Sequence, residues 1–259
     1  MKNILVFSKR RIIRASEIVR LYSNWWVPFF AYIRFLRPKL IILILRNGVR
    51  YESRGYDFDA IAAINDVWMH HDYTPLGNEI KEGSVIIDIG AHIGSFSLFA
   101  ANYNKDVQVY SYEPSKESYA ILVNNVKLNN IANIRPFNLA VSKIQGEIKF
   151  YISEKQTTGH SIAITQGNYV IVNSTTLQHI FTDNNILSCN LLKLDCEGAE
   201  YEILFNTSRE ILNRIQNISM EYHDVPNYTI NDLTQYLKNM GFDVRLGKGP
   251  FLYASMIRR

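Results

Sequence analysis

From Gly83 onward the chain alternates short apolar runs with segments of helical period. VIIDIG (85–90) is an unbroken apolar run around one aspartate, closed by glycine, the pattern of a parallel strand buried on both faces. SFSLFAANY (95–103) predicts a helix, and VQVYSYE (107–113) alternates as a strand. In the segment that follows, Tyr119, Leu122, Val123 and Val126 recur at i, i+3, i+4 and i+7, so they stripe one helix face, with Ser115 placed to cap it. NIRPFNLAVS (133–142) reads as strand and turn, and IKFYIS and YVIVNS as an inserted strand pair. LLKLD (191–195) is a second buried strand, GAEYEILF a helix and ISMEYH (218–223) a third strand. NDLTQYLKNMG reads as a helix stopped at Gly241. FDVRLGKGPFLYASMI closes the pattern as an antiparallel hairpin around GKGP. Upstream, an extended stretch from Val49 leads to a helix through DAIAAINDVWMHH. Strand–helix alternation with a glycine-ended first strand predicts a doubly wound α/β sheet, mostly parallel, with a C-terminal antiparallel hairpin.

The first 44 residues follow a different pattern. Two apolar runs, WWVPFFAYI (25–33) and LIILIL (40–45), are separated by Arg34, Arg37 and Lys39. Both are shorter than the ~20 residues of a membrane-spanning helix. MKNILVFSKRRIIR has no long apolar core with a small-residue cleavage site, so no secretory signal is expected. Residues 1–44 are therefore set apart as a basic, aromatic-rich extension to a domain over 45–259. Charge sharpens the contrast. Residues 1–54 hold 12 of the 28 Lys and Arg but 2 of the 24 Asp and Glu, a net +10, and the rest of the chain carries −6. A basic arm on an acidic body suits an anionic surface, with Trp and Phe at a lipid boundary. The competing reading buries those aromatics in a lid or an oligomer contact. No nucleic-acid recognition motif accompanies the charge, so no nucleic acid partner is expected. Hydrophobic residues at 47% and charged residues at 20% of 259 exclude global disorder. Cys189 and Cys196 are too few for a disulfide scaffold and fit reduced thiols, hence a cytoplasmic protein with peripheral contact at the inner membrane face as its variant.

Candidate chemistry gathers at the strand ends. The string Asp88-Ile89-Gly90-Ala91-His92-Ile93-Gly94 departs from the G-x-G-x-x-G dinucleotide fingerprint. Its glycines would let the backbone approach a ligand, and Asp88 would repel a pyrophosphate but accept hydrogen bonds from a cationic amino-acid moiety. That favours S-adenosylmethionine over NAD. Glu113 ends the next strand, 19 residues past Gly94, where a carboxylate can take both ribose hydroxyls. Asp195 should face the same crevice as a further cofactor contact, and Glu197 or Glu200 would favour a helix N-terminus. Glu221 and His223 close a later strand. A neutral imidazole there could accept a proton from a substrate hydroxyl, with Asp195 and Glu221 as further catalytic candidates. Asp195, Glu221 and His223 could also hold a divalent cation, but a metal-free base accounts for them and no metal is expected. HHDY (70–73) reads as a solvated loop, or as a wall of the substrate mouth.

These residues give the chain a resemblance to the FkbM family of S-adenosylmethionine-dependent methyltransferases. It runs from about Leu45 to the hairpin through LRNGVRYESR, VIIDIGAHIGSFSLFAA, YSYEPSKESYAILVNNVKLN, NLAVSKIQGEIKFY, LLKLDCEGAEYEIL and MEYHD. The resemblance implies a class I, Rossmann-like methyltransferase fold and methyl transfer to oxygen on a sugar, glycan or small natural product. It also implies that Asp88, Gly90, Ala91 and Gly94 contact the methionine part and backbone of the cofactor, that Glu113 holds the ribose, and that Leu139 and Ala140 lie near the adenine. Thr176-Leu177-Gln178 departs from the family's T-L-D string. Two other functions compete: a non-catalytic binding protein on the same scaffold, and a nicotinamide-dependent oxidoreductase, which the glycine spacing disfavours.

Overall fold

A computed structural model describes residues 16–32, 39–55, 57–76, 79–103, 105–151 and 168–257. The first fifteen residues, part of the WWVPFFAYI-to-LIILIL connection and most of the link between the inserted strands lie outside the described residues.

Seven strands form the main sheet: β3 (Val85–Ile89), β4 (Gln108–Tyr112), β5 (Ile134–Phe137), β9 (Cys189–Leu194), β10 (Ile215–Glu221), β11 (Phe242–Leu246) and β12 (Phe251–Met256). Their order is β11-β12-β10-β9-β3-β4-β5. The five strands from β10 to β5 are parallel neighbours, and β12 enters antiparallel between β10 and β11. This is the predicted doubly wound sheet with its terminal hairpin. From β3 the chain builds outward through β4 and β5, then returns to β9 on the other side. The order therefore reverses between β3 and β9, which opens a crevice at their carboxyl ends.

The expected elements form for the expected reasons. Four of the five β3 side chains are buried, as a strand covered on both faces requires. Ser115 caps the helix Lys116–Leu128 by accepting from the Ser118 amide. Thr229 and Asp232 form a reciprocal capping box on the helix Ile230–Asn239. Gly241, at φ +100°, lets the chain leave that helix in the left-handed region. The inserted strands β7 (Gly146–Tyr151) and β8 (Tyr169–Thr175) pair antiparallel and, with the short β6 (Ala140–Val141), make a separate three-stranded sheet.

The boundary expected at residue 44 falls between two paired strands. β1 (Leu40–Ile44) pairs antiparallel with β2 (Arg50–Arg54), straight across that point. Ile18, Tyr22, Ala31 and Leu43 are buried in the same core as Ile86 and Phe96, and the Tyr22 hydroxyl donates to Asn65 at 3.1 Å. Described residues before 45 are thus part of one body, because alternate β1 side chains face the main core while the others face out. Trp25 and Trp26 remain 39% and 50% exposed. Among the described residues no helix is long and apolar enough to cross a membrane.

Candidate active site

A cavity of about 210 Å³ opens at the carboxyl ends of β3, β9 and β10. Its floor is the turn after β3, with Gly90, Ala91 and His92, and its acidic wall is Asp195, Glu197 and Glu221, with His223 and Lys193 beside them. Tyr73, Phe96 and Phe251 supply the apolar side.

The turn after β3 is built by backbone geometry. Gly90 has φ +76°, and a Cβ there would stand 1.8 Å from the Asp195 carbonyl oxygen. The Asp195 amide donates to the Ile89 carbonyl at 3.1 Å, so the two strand ends are tied edge to edge. Gly94, at φ +89°, would set a Cβ 2.5 Å from Leu122. These glycines were expected to let a ligand come close. The atoms that require the missing side chains are the chain's own, although Gly90 and Ala91 do line the cavity.

Asp88 requires a second correction. It is fully buried, accepts from the Ser97 hydroxyl at 2.5 Å and ion-pairs with Lys193 at 3.1 Å. The cation expected to satisfy it from a ligand is supplied by Lys193. Burial pulls the Lys193 ammonium down, but Asp88 and Asp195 outweigh that and hold it above its ordinary value. Lys193 also donates to the Gly90 carbonyl at 2.8 Å, so one ammonium fixes both strand ends.

Glu113 sits at the end of β4, clear of the cavity wall, and its two oxygens each accept a backbone amide, from His92 and from Ser115, both at 2.8 Å. Burial pushes its carboxyl up to about 7, with the two amide bonds pulling the other way. The Asn138 amide donates to the Glu113 and Pro114 carbonyls at 2.9 and 3.1 Å, which ties the start of the Leu139–Ala140 loop to the end of β4. Ala140 is itself buried.

Asp195, Glu221 and His223 converge as expected, but the imidazole is not the neutral base foreseen. Its Nδ1 lies 3.2 Å from Glu200 and its Nε2 3.4 Å from Glu197. Burial lowers the pKa, yet the hydrogen bond to Glu200 and the surrounding carboxylates overcome it and push it up to about 9. A ring protonated at neutral pH cannot take a proton. Burial and the Asp195 charge instead push Glu221 up to about 7, while His223 opposes them. Burial likewise takes Glu197 to about 7. His92 goes the other way. Its ring nitrogens are buried without a hydrogen bond, and burial lowers its pKa.

Four contributors were hidden in the sequence. Glu197 and Glu200 read as helix-dipole residues, yet both face His223. Lys193 lay inside an apolar strand. Tyr73 lay in a stretch read mainly as a solvated loop, but it is buried, and its hydroxyl donates to Asp195 at 2.9 Å across 122 positions. Its visible signal was an aromatic at the end of HHDY, after His71, which takes the left-handed φ of +55°.

A family model described as "Methyltransferase FkbM domain" matches residues 88–244. The chain is 24% identical over 225 residues to the 31-O-demethyl-FK506 methyltransferase FkbM of Streptomyces tacrolimicus, covering 75% of this chain and 86% of that protein. It is 24% identical over 191 residues to methyltransferase sdnD of Sordaria araneosa, covering 61% of this chain and 73% of that one. Among solved structures it is similar to the M. jannaschii TYW2 complex with AdoMet, at 17% identity and a TM-score of 0.45, covering 85% and 86% of the two chains. The matched span begins at the aspartate paired with Lys193, contains both glycines and both carboxylate clusters, and runs to the final hairpin, so the chain belongs to the FkbM methyltransferase family and is an S-adenosylmethionine-dependent methyltransferase.

Proposed function

We propose that this methyltransferase acts on a hydroxyl oxygen of a sugar, glycan or other small natural product. The observation that carries the reading is the acidic wall of Asp195, Glu197 and Glu221 facing the turn after β3. A hydroxyl must lose its proton as it becomes an ether, and a carboxylate beside it can take that proton. A similar protein, named a 31-O-demethyl-FK506 methyltransferase, supports an oxygen acceptor on a natural product.

The residues fit the cofactor. Each Glu113 oxygen has one lone pair committed to a backbone amide and another left for a ribose hydroxyl. Leu139 and Ala140 follow the Asn138 tie and suit the adenine side. Gly90 and Ala91 line the cavity where the methionine part would lie, and the acidic wall suits a cationic sulfur. When bound, the cofactor would supply an electrophilic methyl group on a sulfonium, with S-adenosylhomocysteine as the leaving group. Asp88 acts at one remove, through Lys193 and the Gly90 carbonyl. Glu221 takes the hydroxyl proton, and Tyr73 holds Asp195 in place. Alignment of acceptor and methyl can lower the barrier by about 7–11 kcal/mol, the larger share of the catalysis.

Incubation with cofactor carrying a labelled methyl and a panel of hydroxyl, amine and thiol acceptors tests the reading. Label should enter the hydroxyl acceptors as ethers. Glu221→Gln should slow turnover by about 10²–10⁴ while S-adenosylhomocysteine binding stays near wild type. Label entering amines or carbon, or a Glu221→Gln protein with full turnover, would contradict it.

A further inference from the structure

We propose that Asp195, Glu197 and His223 form a divalent-cation site on the acidic wall of the cavity. The site's existence stands on its own geometry, and its purpose rests on the methyl-transfer reading above.

Each of the three residues offers one ligand atom, and the three atoms lie within 4.8 Å of one another. Two ligands about 2.1 Å from one ion at the tetrahedral angle stand about 3.4 Å apart. His223 Nε2 and Glu197 Oε2 are separated by 3.4 Å, a gap bridged by the ring's proton, which an ion taking this nitrogen would release to solvent.

The surroundings orient these atoms as a metal site does. Metal-binding histidines commonly give their other ring nitrogen to a carboxylate, which fixes the ring. Here Nδ1 of His223 faces Glu200 at 3.2 Å, and that Glu200 oxygen is anchored by the Cys196 amide at 2.9 Å. Glu200 is fully buried, and its second oxygen has no hydrogen-bond partner among the described residues. On the far side, the Tyr73 hydroxyl fixes the Asp195 carboxylate at 2.9 Å.

The charge count points the same way. Asp195, Glu197, Glu200 and Glu221 crowd around His223, and the neighbouring ammonium, Lys193, is closer to Asp88 at 3.1 Å than to Asp195 at 4.0 Å. Four carboxylates share one imidazole and part of one lysine, a deficit that a doubly charged ion would fill. Two carboxylates and one imidazole leave coordination positions open toward the cavity, and such a donor set suits Mn²⁺, Mg²⁺ or Zn²⁺. An acceptor hydroxyl bound there would become more acidic, which eases its loss of a proton.

The test is titration of Mn²⁺ alone into the metal-stripped full chain, followed by calorimetry and by the loss of the free-ion electron paramagnetic resonance signal. One Mn²⁺ per chain is expected. Glu197→Gln, on the partly exposed rim, should weaken binding at least 10-fold with an unchanged thermal transition. Glu200→Gln, which touches no ion, should weaken it about 10- to 100-fold by freeing the His223 ring. If Glu200→Gln does not fold, Glu197→Gln and His223→Gln decide the matter. No stoichiometric binding to the wild-type chain, or wild-type affinity in both Glu197→Gln and His223→Gln, overturns the site. S-adenosylhomocysteine is titrated separately into the metal-free chain. Its failure to bind would count against the cofactor reading and leave the ion measurement standing.

Discussion

Replacing Lys193 by Met probes the feature that joins the sheet to the site. The side chains of Lys193 and Asp88 are 4% and 0% exposed, and their charged atoms lie 3.1 Å apart. Methionine keeps most of the lysine stem and removes the ammonium. Asp88 is then left in the interior with the Ser97 hydroxyl as its remaining side-chain donor, and the Gly90 carbonyl loses a bond of 2.8 Å. Breaking a buried ion pair from one side typically costs about 3–5 kcal/mol, because the surviving charge is desolvated without compensation. For a chain of this size that is a fall of roughly 6–20 °C in the thermal midpoint. Chemical unfolding at neutral pH, followed by circular dichroism, measures the loss directly. Adding Asp88→Asn should restore much of it, since the amide carries no charge and can still accept from Ser97. A Lys193→Met protein within about 1 kcal/mol of wild type, or a double variant no better than the single one, would refute the claim that this pair holds the β3 and β9 ends together.

Three further outcomes follow from the same geometry. Gly90→Ala should lower thermal stability and S-adenosylhomocysteine affinity together, because its Cβ would fall 1.8 Å from the Asp195 carbonyl at a φ that disfavours side chains; wild-type values for both would show that the strand ends are not packed as described. Glu113→Gln should weaken cofactor binding by about 10- to 150-fold, equivalent to ~1.5–3 kcal/mol. Because burial raises the Glu113 carboxyl to about 7, its ionised form is lost on acidification, so wild-type affinity should fall as pH drops below neutrality; calorimetry showing a flat profile from pH 8 to 6 would remove its ribose role. Trp25→Ser with Trp26→Ser, at positions 39% and 50% exposed, should reduce sedimentation with anionic vesicles, and added salt should reduce it for the wild type; no difference between the proteins would dismiss the membrane reading of the aromatic run.

Local pattern determined the elements of this protein. VIIDI and LLKL are strands because apolar runs of that length, each holding one charge, must be covered on both faces, and the helix Lys116–Leu128 follows from its period and from Ser115. The glycines after β3, the carboxylate closing β4 and the acid-and-histidine cluster after β9 and β10 were also legible, since a doubly wound sheet brings every parallel strand end to one side. Tertiary structure alone decided what those residues touch. Lys193 and Asp88 are 105 positions apart, and Tyr73 and Asp195 are 122 apart, so no spacing rule could pair them. The space beside Gly90 is filled by the carbonyl of Asp195, the residue after β9, which adds a packing requirement the sequence did not show. The placement of β12 between β10 and β11 depends on which hairpin strand pairs with β10, which the hairpin's own pattern does not specify. His223 shows the physical reason most plainly. Its position was readable from the strand it follows, but its proton is held by the charges of Glu197 and Glu200, and electrostatic fields act through space rather than along the chain.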